Sequence, residues 1–278
     1  MPSKLLICSE KDISSTNMRD ALFGMEKWED IGDDGINTYH SSGDKVIMTI
    51  PELHIYAENV DLEAERFGIC LDEVIFMSRH KAASAIPTLT VHPIGNYNNA
   101  DFGGRNETLV KAAPASMTDA LRILSKKDTE GFQVSFEVTH HGPYLDKPTF
   151  FIEIGSDESM WGNVRAAEIL AKTILSIEDN DFPSVIGIGG GHYAPRFTEI
   201  SNAYEVNFGH MLPGYAFNGL NDDEFIEKVK LASDATGTKM IYLHKKSMKK
   251  SEASRLSDLM VSVGYEIVTS KNFEEIKN

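Results

Sequence analysis

Apolar positions along this chain follow two rhythms, short runs of buried-strand type and longer stretches spaced as one helical face. Residues 4–8 form a strand-like run and residues 14–25 carry the capping and spacing of a helix, a β-α opening. Residues 45–50, 54–56 and 73–77 read as strands, and 61–67 as a helix through Leu62, Ala64 and Phe67. A strand at 88–91 precedes a Gly- and Asn-rich loop over 93–105, expected to run over the surface. Met117, Ala120, Leu121 and Leu124 predict a helix over 116–126, and strands follow at 133–138 and 149–154. Residues 158–177 read as the longest helix, burying Trp161, Val164, Ala167, Ile169 and Leu170. The remainder alternates strand 184–188, helix 222–235, strand 240–243, helix 251–263 and strand 265–268. Such alternation predicts an α/β fold, a three-layer α/β/α arrangement around a mixed, mostly parallel sheet. No repeat, low-complexity tract or Pro/Gly-rich linker interrupts it, so residues 1–278 are expected to form a single domain.

Charge narrows the partners. The 278 residues hold 27 Lys and Arg against 42 Asp and Glu, a net charge of -15, which predicts no broad attraction to polyanions. A nucleic acid would need a local grip, and Lys245, Lys246, Lys249 and Lys250 form the clearest basic cluster. It reads either as a solvated helix start or as a phosphate contact. Cys8 and Cys70 make no disulfide framework, which fits a reducing, cytoplasmic setting. No apolar run approaches the roughly 20 residues of a membrane helix, and the N-terminus lacks a signal-peptide layout. A soluble, cytoplasmic protein without a membrane or an obligate protein partner is expected.

The candidate chemistry is histidine chemistry. His140 and His141 follow the strand at 133–138, and Gly189-Gly190-Gly191-His192 follows the strand at 184–188. Strand ends are where open α/β sheets bind ligands. Imidazole also titrates near neutral pH, which suits proton transfer and metal binding. His80, His92 and His210 stand at similar positions. The glycine run lacks a dinucleotide fingerprint and the following lysine of a nucleotide phosphate loop, so a Rossmann cofactor is not expected, while a carbonyl-polarising or phosphate-cradling loop stays open. Three glycines do let backbone N–H groups approach a ligand closely. Converging histidines with a carboxylate such as Glu153 would suit an open zinc site, with metal-free general-base catalysis as the competing reading. Asp157 and Glu158 are expected to cap and charge the long helix.

Six segments carry a resemblance: Leu5-Leu6-Ile7-Cys8-Ser9-Glu10-Lys11-Asp12, Ser78-Arg79-His80-Lys81, Thr139-His140-His141-Gly142-Pro143, Ile152-Glu153-Ile154-Gly155-Ser156, Gly189-Gly190-Gly191-His192-Tyr193-Ala194-Pro195-Arg196 and Gly209-His210-Met211-Leu212-Pro213-Gly214-Tyr215. Over nearly the full length the chain resembles the archaeal and plant type of D-aminoacyl-tRNA deacylase. The resemblance implies hydrolysis of the ester between a D-amino acid and tRNA, zinc as cofactor, and a fold related to peptidyl-tRNA hydrolase and the purine nucleoside phosphorylases. Set against that chemistry, His140, Glu153 and His192 are the expected metal or water-activating centre. His80, His141 and His210 are the expected proton-transfer residues, and Gly189, Gly190 and Gly191 the oxyanion donors. Arg79, Lys81 and Arg196 are candidates for the terminal phosphates, and the acidic balance implies contact mainly with the tRNA acceptor end. A peptidyl- or N-acylaminoacyl-tRNA hydrolase and a non-catalytic nucleotide- or RNA-binding module remain the alternatives.

Overall fold

The computed structural model describes residues 3–82 and 86–277. In chain order the elements are β1 (Ser3–Ser9), α1 (Ile13–Met25), β2 (Glu29–Asp33), β3 (Thr38–Ser42), β4 (Lys45–Ile50), α2 (Val60–Arg66), β5 (Leu71–Arg79), β6 (Thr88–Pro93), β7 (Gly95–Asn96), β8 (Thr108–Leu109), α3 (Pro114–Lys126), β9 (Gln133–Phe136), β10 (Thr149–Gly155), α4 (Glu158–Trp161) and α5 (Val164–Leu175). They continue with β11 (Ser184–Ile188), α6 (Pro195–Ala203), β12 (Asn207–Leu212), α7 (Gly214–Phe217), α8 (Asp222–Thr236), β13 (Met240–Leu243), α9 (Lys250–Ser262) and β14 (Glu266–Val268).

The α/β class and the mixed, mostly parallel pairing are present, but the strands divide between two principal sheets. The larger runs β2-β3-β4-β1-β5-β10-β6-β9, and the smaller, all parallel, runs β12-β11-β13-β14. Alternation along the strands explains how each sheet is covered. Leu6, Cys8, Ile75, Met77, Phe150, Ile152 and Ile154 face a central cluster with α1, α3 and α5, whereas Leu5, Ile7, Val74, Phe76 and Phe151 face a second cluster with α2. The central cluster continues through Phe197 and Ile200 of α6 to Val185, Phe208, Met211 and Tyr242 of the smaller sheet. The far face of that sheet, Ile186, Ile188, Leu212, Ile241 and Leu243, is covered by α8 and α9.

Several local expectations are corrected. Residues His54–Tyr56 form a turn of 3-10 helix, not a strand. The expected long helix breaks after Trp161: Asp157 caps only α4, and Asn163 starts α5 by accepting the Ala166 N–H at 2.9 Å. The loop from 93 to 105 is not wholly superficial, because Pro93 to Tyr97 are buried and include β7. The β2–β3 hairpin lacks an apolar pattern; Asp34 closes its turn by accepting the N–H groups of Ile36 and Asn37 and the Tyr39 hydroxyl. Among the described residues no helix is long and apolar enough to cross a membrane.

One buried carboxyl gives the scaffold a pH dependence. Glu73 lies 3.7 Å from Lys4, and burial outweighs that ammonium, pushing its carboxyl up to about 7. Because the folded pKa is raised, the protonated group's contribution to stability is full at acid pH and is lost as pH rises through 7. Glu73→Gln is expected to flatten that loss, worth up to about 3 kcal/mol. Thermal unfolding of both proteins from pH 4 to 8 tests this, and identical pH profiles would refute it.

Candidate metal centre

Glu137 is the side chain around which the centre is built. Its N–H still donates to Val91 of the larger sheet (3.1 Å), but the next two residues transfer to the smaller sheet's side. Val138 donates to the His192 carbonyl (3.0 Å) and Thr139 to that of Met211 (3.2 Å). This crossing strand brings His192, which follows β11, against residues from β5, β6 and β9. The chain then turns at His141, whose φ is +43°, into Gly142. A Cβ on Gly142 would stand 2.1 Å from the Gly104 nitrogen, so only glycine permits this approach.

Three imidazole nitrogens surround one carboxylate oxygen. Glu137 Oε2 lies 2.9 Å from His192 Nε2, 3.2 Å from His80 Nδ1 and 3.6 Å from His140 Nε2. Behind it, Glu153 Oε2 lies 3.6 Å from His80 Nδ1 and 3.4 Å from His92 Nε2. The His140 Nδ1–H donates to the Val138 carbonyl (2.8 Å), and the His92 Nδ1–H to the Pro93 carbonyl (3.2 Å). In the neutral rings both Nε2 atoms therefore point lone pairs toward carboxylates.

Among the described residues, neither oxygen of Glu137, nor Glu153 Oε2, His80 Nε2 or His92 Nε2, makes a well-aligned hydrogen bond. Unpaired buried acceptors facing one another are costly, and a cation between them removes the cost. One ligand atom from each of His80, Glu137, His140 and His192 lies within 4.8 Å of the others, and so do those of His92, Glu137 and Glu153. The residues present fit a metal ion.

Electrostatics point the same way. Burial alone would raise the Glu137 carboxyl, but the His192 ring and the imidazoles of His80 and His92 hold it well below the usual carboxylate range. Burial and the neighbouring imidazoles press His140 far below its ordinary value. Burial also pushes His141 down to about 3. Burial opposes charge on His92 as well, yet the Glu153 and Glu137 carboxylates raise that ring overall.

A cavity of about 420 Å³ opens beside the cluster, lined by His140, His141 and His192 and by Tyr97, Phe102 and Tyr215 among others. The Tyr97 hydroxyl is buried beside the Thr139 side chain.

The structure brings His80, His140 and His192 together as neighbours of one carboxylate, but that carboxylate is Glu137. Glu153 stands one layer behind with His92. Neither Glu137 nor His92 was singled out as a ligand from sequence. A charged residue inside the apolar run Phe136-Glu137-Val138, three positions before His140, is the signal that points to it. His141 borders the cavity, its Nδ1–H donating to the Gly142 carbonyl at 2.6 Å. His210 does not reach the cluster; it is fully buried, with Nδ1 against the Thr139 hydroxyl (3.0 Å) and Nε2–H donating to the Val110 carbonyl (2.7 Å).

The glycine run and the cations are also placed elsewhere. The N–H of Gly189 donates to the Leu212 carbonyl and that of Gly190 to the Ser247 hydroxyl, so neither is available to an oxyanion. Gly191 lies outside the cavity lining. Arg79 packs over Trp161, Lys81 pairs with Glu158 at 3.0 Å, and Arg196 with Glu199 and the Tyr242 hydroxyl. None lines the cavity. Lys245, Lys246, Lys249 and Lys250 stay exposed around the start of α9.

Fold and site together define an α/β protein with a buried histidine–carboxylate centre of metal-binding geometry. A family model for D-aminoacyl-tRNA deacylase matches residues 67–268, which include every residue of that centre, and the chain belongs to this family. A D-aminoacyl-tRNA deacylase of Methanococcoides burtonii is 34% identical over 98% of this chain, which spans 57% of that relative's length. A relative of the same name from Thermococcus kodakarensis is 40% identical over 77% of this chain and 81% of its own. The crystal structure of a conserved protein of unknown function is similar at a TM-score of 0.87 and 32% identity, covering 99% of each chain.

Proposed function

We infer that this chain hydrolyses the ester joining a D-amino acid to the terminal ribose of tRNA, releasing free tRNA and the D-amino acid. The observation that carries this reading, in a chain of this family, is the buried Glu137 ringed by His80, His140 and His192 beside an open cavity. Zinc is the proposed metal, since three imidazoles and a carboxylate with no thiolate are donors it commonly takes. His80, Glu137, His140 and His192 would hold it. When bound, zinc supplies Lewis acidity, which polarises a carbonyl and makes water acidic near neutral pH.

The chain's own groups divide the remaining work. His92 and Glu153 fix the rings and the carboxylate from behind. With its Nδ1–H committed to Gly142, His141 keeps a lone pair on Nε2. That lone pair borders the cavity as an acceptor that orients the attacking water, and because burial pushes the ring down to about 3 it does not retain the proton, which passes on to the departing ribose oxygen. His80 is too enclosed to meet substrate and serves the buried centre. We propose that the chain acts on tRNA in the cytoplasm.

The test is release of amino acid from matched D- and L-tyrosyl-tRNA, before and after chelation and after zinc is restored. D-selective release that falls at least about 100-fold on chelation and returns with zinc is expected. Release indifferent to chelation would overturn the metal reading, and no release from either ester would overturn the deacylase reading.

A further inference from the structure

Two aromatic side chains stand exposed on the cavity's rim, and the ester chemistry above requires neither. Phe102 is 64% exposed and Tyr215 58% exposed, and both line the cavity that His140, His141 and His192 border. Among the described residues neither ring stacks on another ring or on a cation. Scattered exposed aromatics are ordinary, but two on one ligand-sized opening form a surface that a planar guest would complete.

Each ring is also tied by backbone to a loop that carries a histidine. The Phe102 carbonyl accepts the N–H of Gly142, next to His141, at 3.1 Å. The following residue but one, Gly104, donates its N–H to Glu58 Oε1 at 2.7 Å, which anchors the loop. Tyr215 follows Gly214, whose N–H donates to the carbonyl of Gly190, two residues before His192, at 2.9 Å. A guest held between these rings is thereby registered against the histidines.

We propose that Phe102 and Tyr215 clamp the terminal base of the tRNA acceptor end by stacking and so set the ester carbonyl over the histidine cluster. This rests on the deacylase reading. The lining contains no Lys or Arg, so it does not suit a phosphate, whereas the exposed Asn98, Asn99 and Asp101 offer hydrogen bonds to a base edge. Stacking serves every aminoacyl-tRNA alike, because the terminal base is shared while the amino-acid side chain varies.

The experiment uses tRNA whose terminal adenosine is replaced by fluorescent 2-aminopurine riboside carrying amide-linked D-alanine, which cannot be hydrolysed. Binding by the parent protein is expected to quench the fluorescence, and Phe102→Ala and Tyr215→Ala to abolish the quench with thermal unfolding unchanged. The same variants should lower kcat/KM for D-tyrosyl-tRNA and D-alanyl-tRNA equally, by about ten- to a hundredfold, through a raised KM and a reduced kcat. Phe102→Trp should restore both signals. Undiminished quenching in both alanine variants overturns the clamp. So does a KM rise confined to D-tyrosyl-tRNA, which would assign the rings to the amino-acid side chain. The quench requires no turnover, so the clamp and the deacylase reading fail separately.

Discussion

Replacing Glu137 by Gln is expected to lower kcat/KM on D-tyrosyl-tRNA by on the order of 10³-fold and to abolish stoichiometric metal retention. The substitution keeps volume and shape but removes the one charge that faces His80, His140 and His192 together. A neutral amide there offers a weaker ligand oxygen and turns an NH2 group toward ring nitrogens or toward the ion. Because the imidazoles hold that carboxyl below its ordinary value, the ionised group stabilises the metal-free fold at neutral pH, and thermal stability should fall with the substitution. Glu153→Gln is the informative partner. Glu153 meets His92 and His80 from behind, so its loss should cost only about 10- to 100-fold in metal affinity or activity. Steady-state kinetics and metal analysis of the two purified variants decide between the carboxylates. A Glu137→Gln protein with parental activity and metal content would place the centre elsewhere.

Arg122→Ala is expected to destabilise the fold by on the order of 3–5 kcal/mol, with no direct effect on the chemistry. Arg122 lies on α3, buried, with Nε donating to the Ser201 carbonyl at 2.8 Å and Nη1 to Asn207 Oδ1 at 3.1 Å. Its Nη2 donates to the carbonyls of Val206 (2.6 Å) and Tyr204 (3.3 Å). These acceptors belong to the end of α6, the turn after it and the first residue of β12, so one guanidinium ties the helix layer to the smaller sheet. Burial lowers its pKa to about 10, which leaves it charged at neutral pH. Truncation strands these acceptors in the interior and opens a cavity among them. Urea unfolding with the midpoint and slope fitted separately measures the cost, and a loss below about 1 kcal/mol would contradict it.

The parts of this architecture legible in the sequence are those written locally. β4, β11 and β13 occupy the expected residues because their apolar runs have sharp polar or glycine borders. The division into two sheets is not written locally, since it depends on which distant strands pair. Likewise β2 and β3, with polar side chains on an exposed edge, give no period to read. At the site, adjacent histidines and a histidine after a glycine run stand out in the text of the chain. Glu137 does not, because the crossing strand that makes it central is visible only when Val138 bonds to His192 and Thr139 to Met211. Glu153, also embedded in an apolar strand, reaches His80 and His92 and groups with His92 and Glu137 as a possible ligand. His210 is marked by its neighbours in the chain, and the structure places its ring nitrogens against Thr139 and Val110.

The crossing strand also makes the centre a record of assembly. His80, His92, Glu137, His140 and Glu153 come from the larger sheet and the strand leaving it, and His192 comes from the smaller one. A partly folded chain with only the larger sheet in place has an incomplete coordination sphere, so a cation held by the full set binds the native state preferentially and stabilises it by mass action. On the proposed function, competence to cleave would therefore arrive together with correct tertiary assembly.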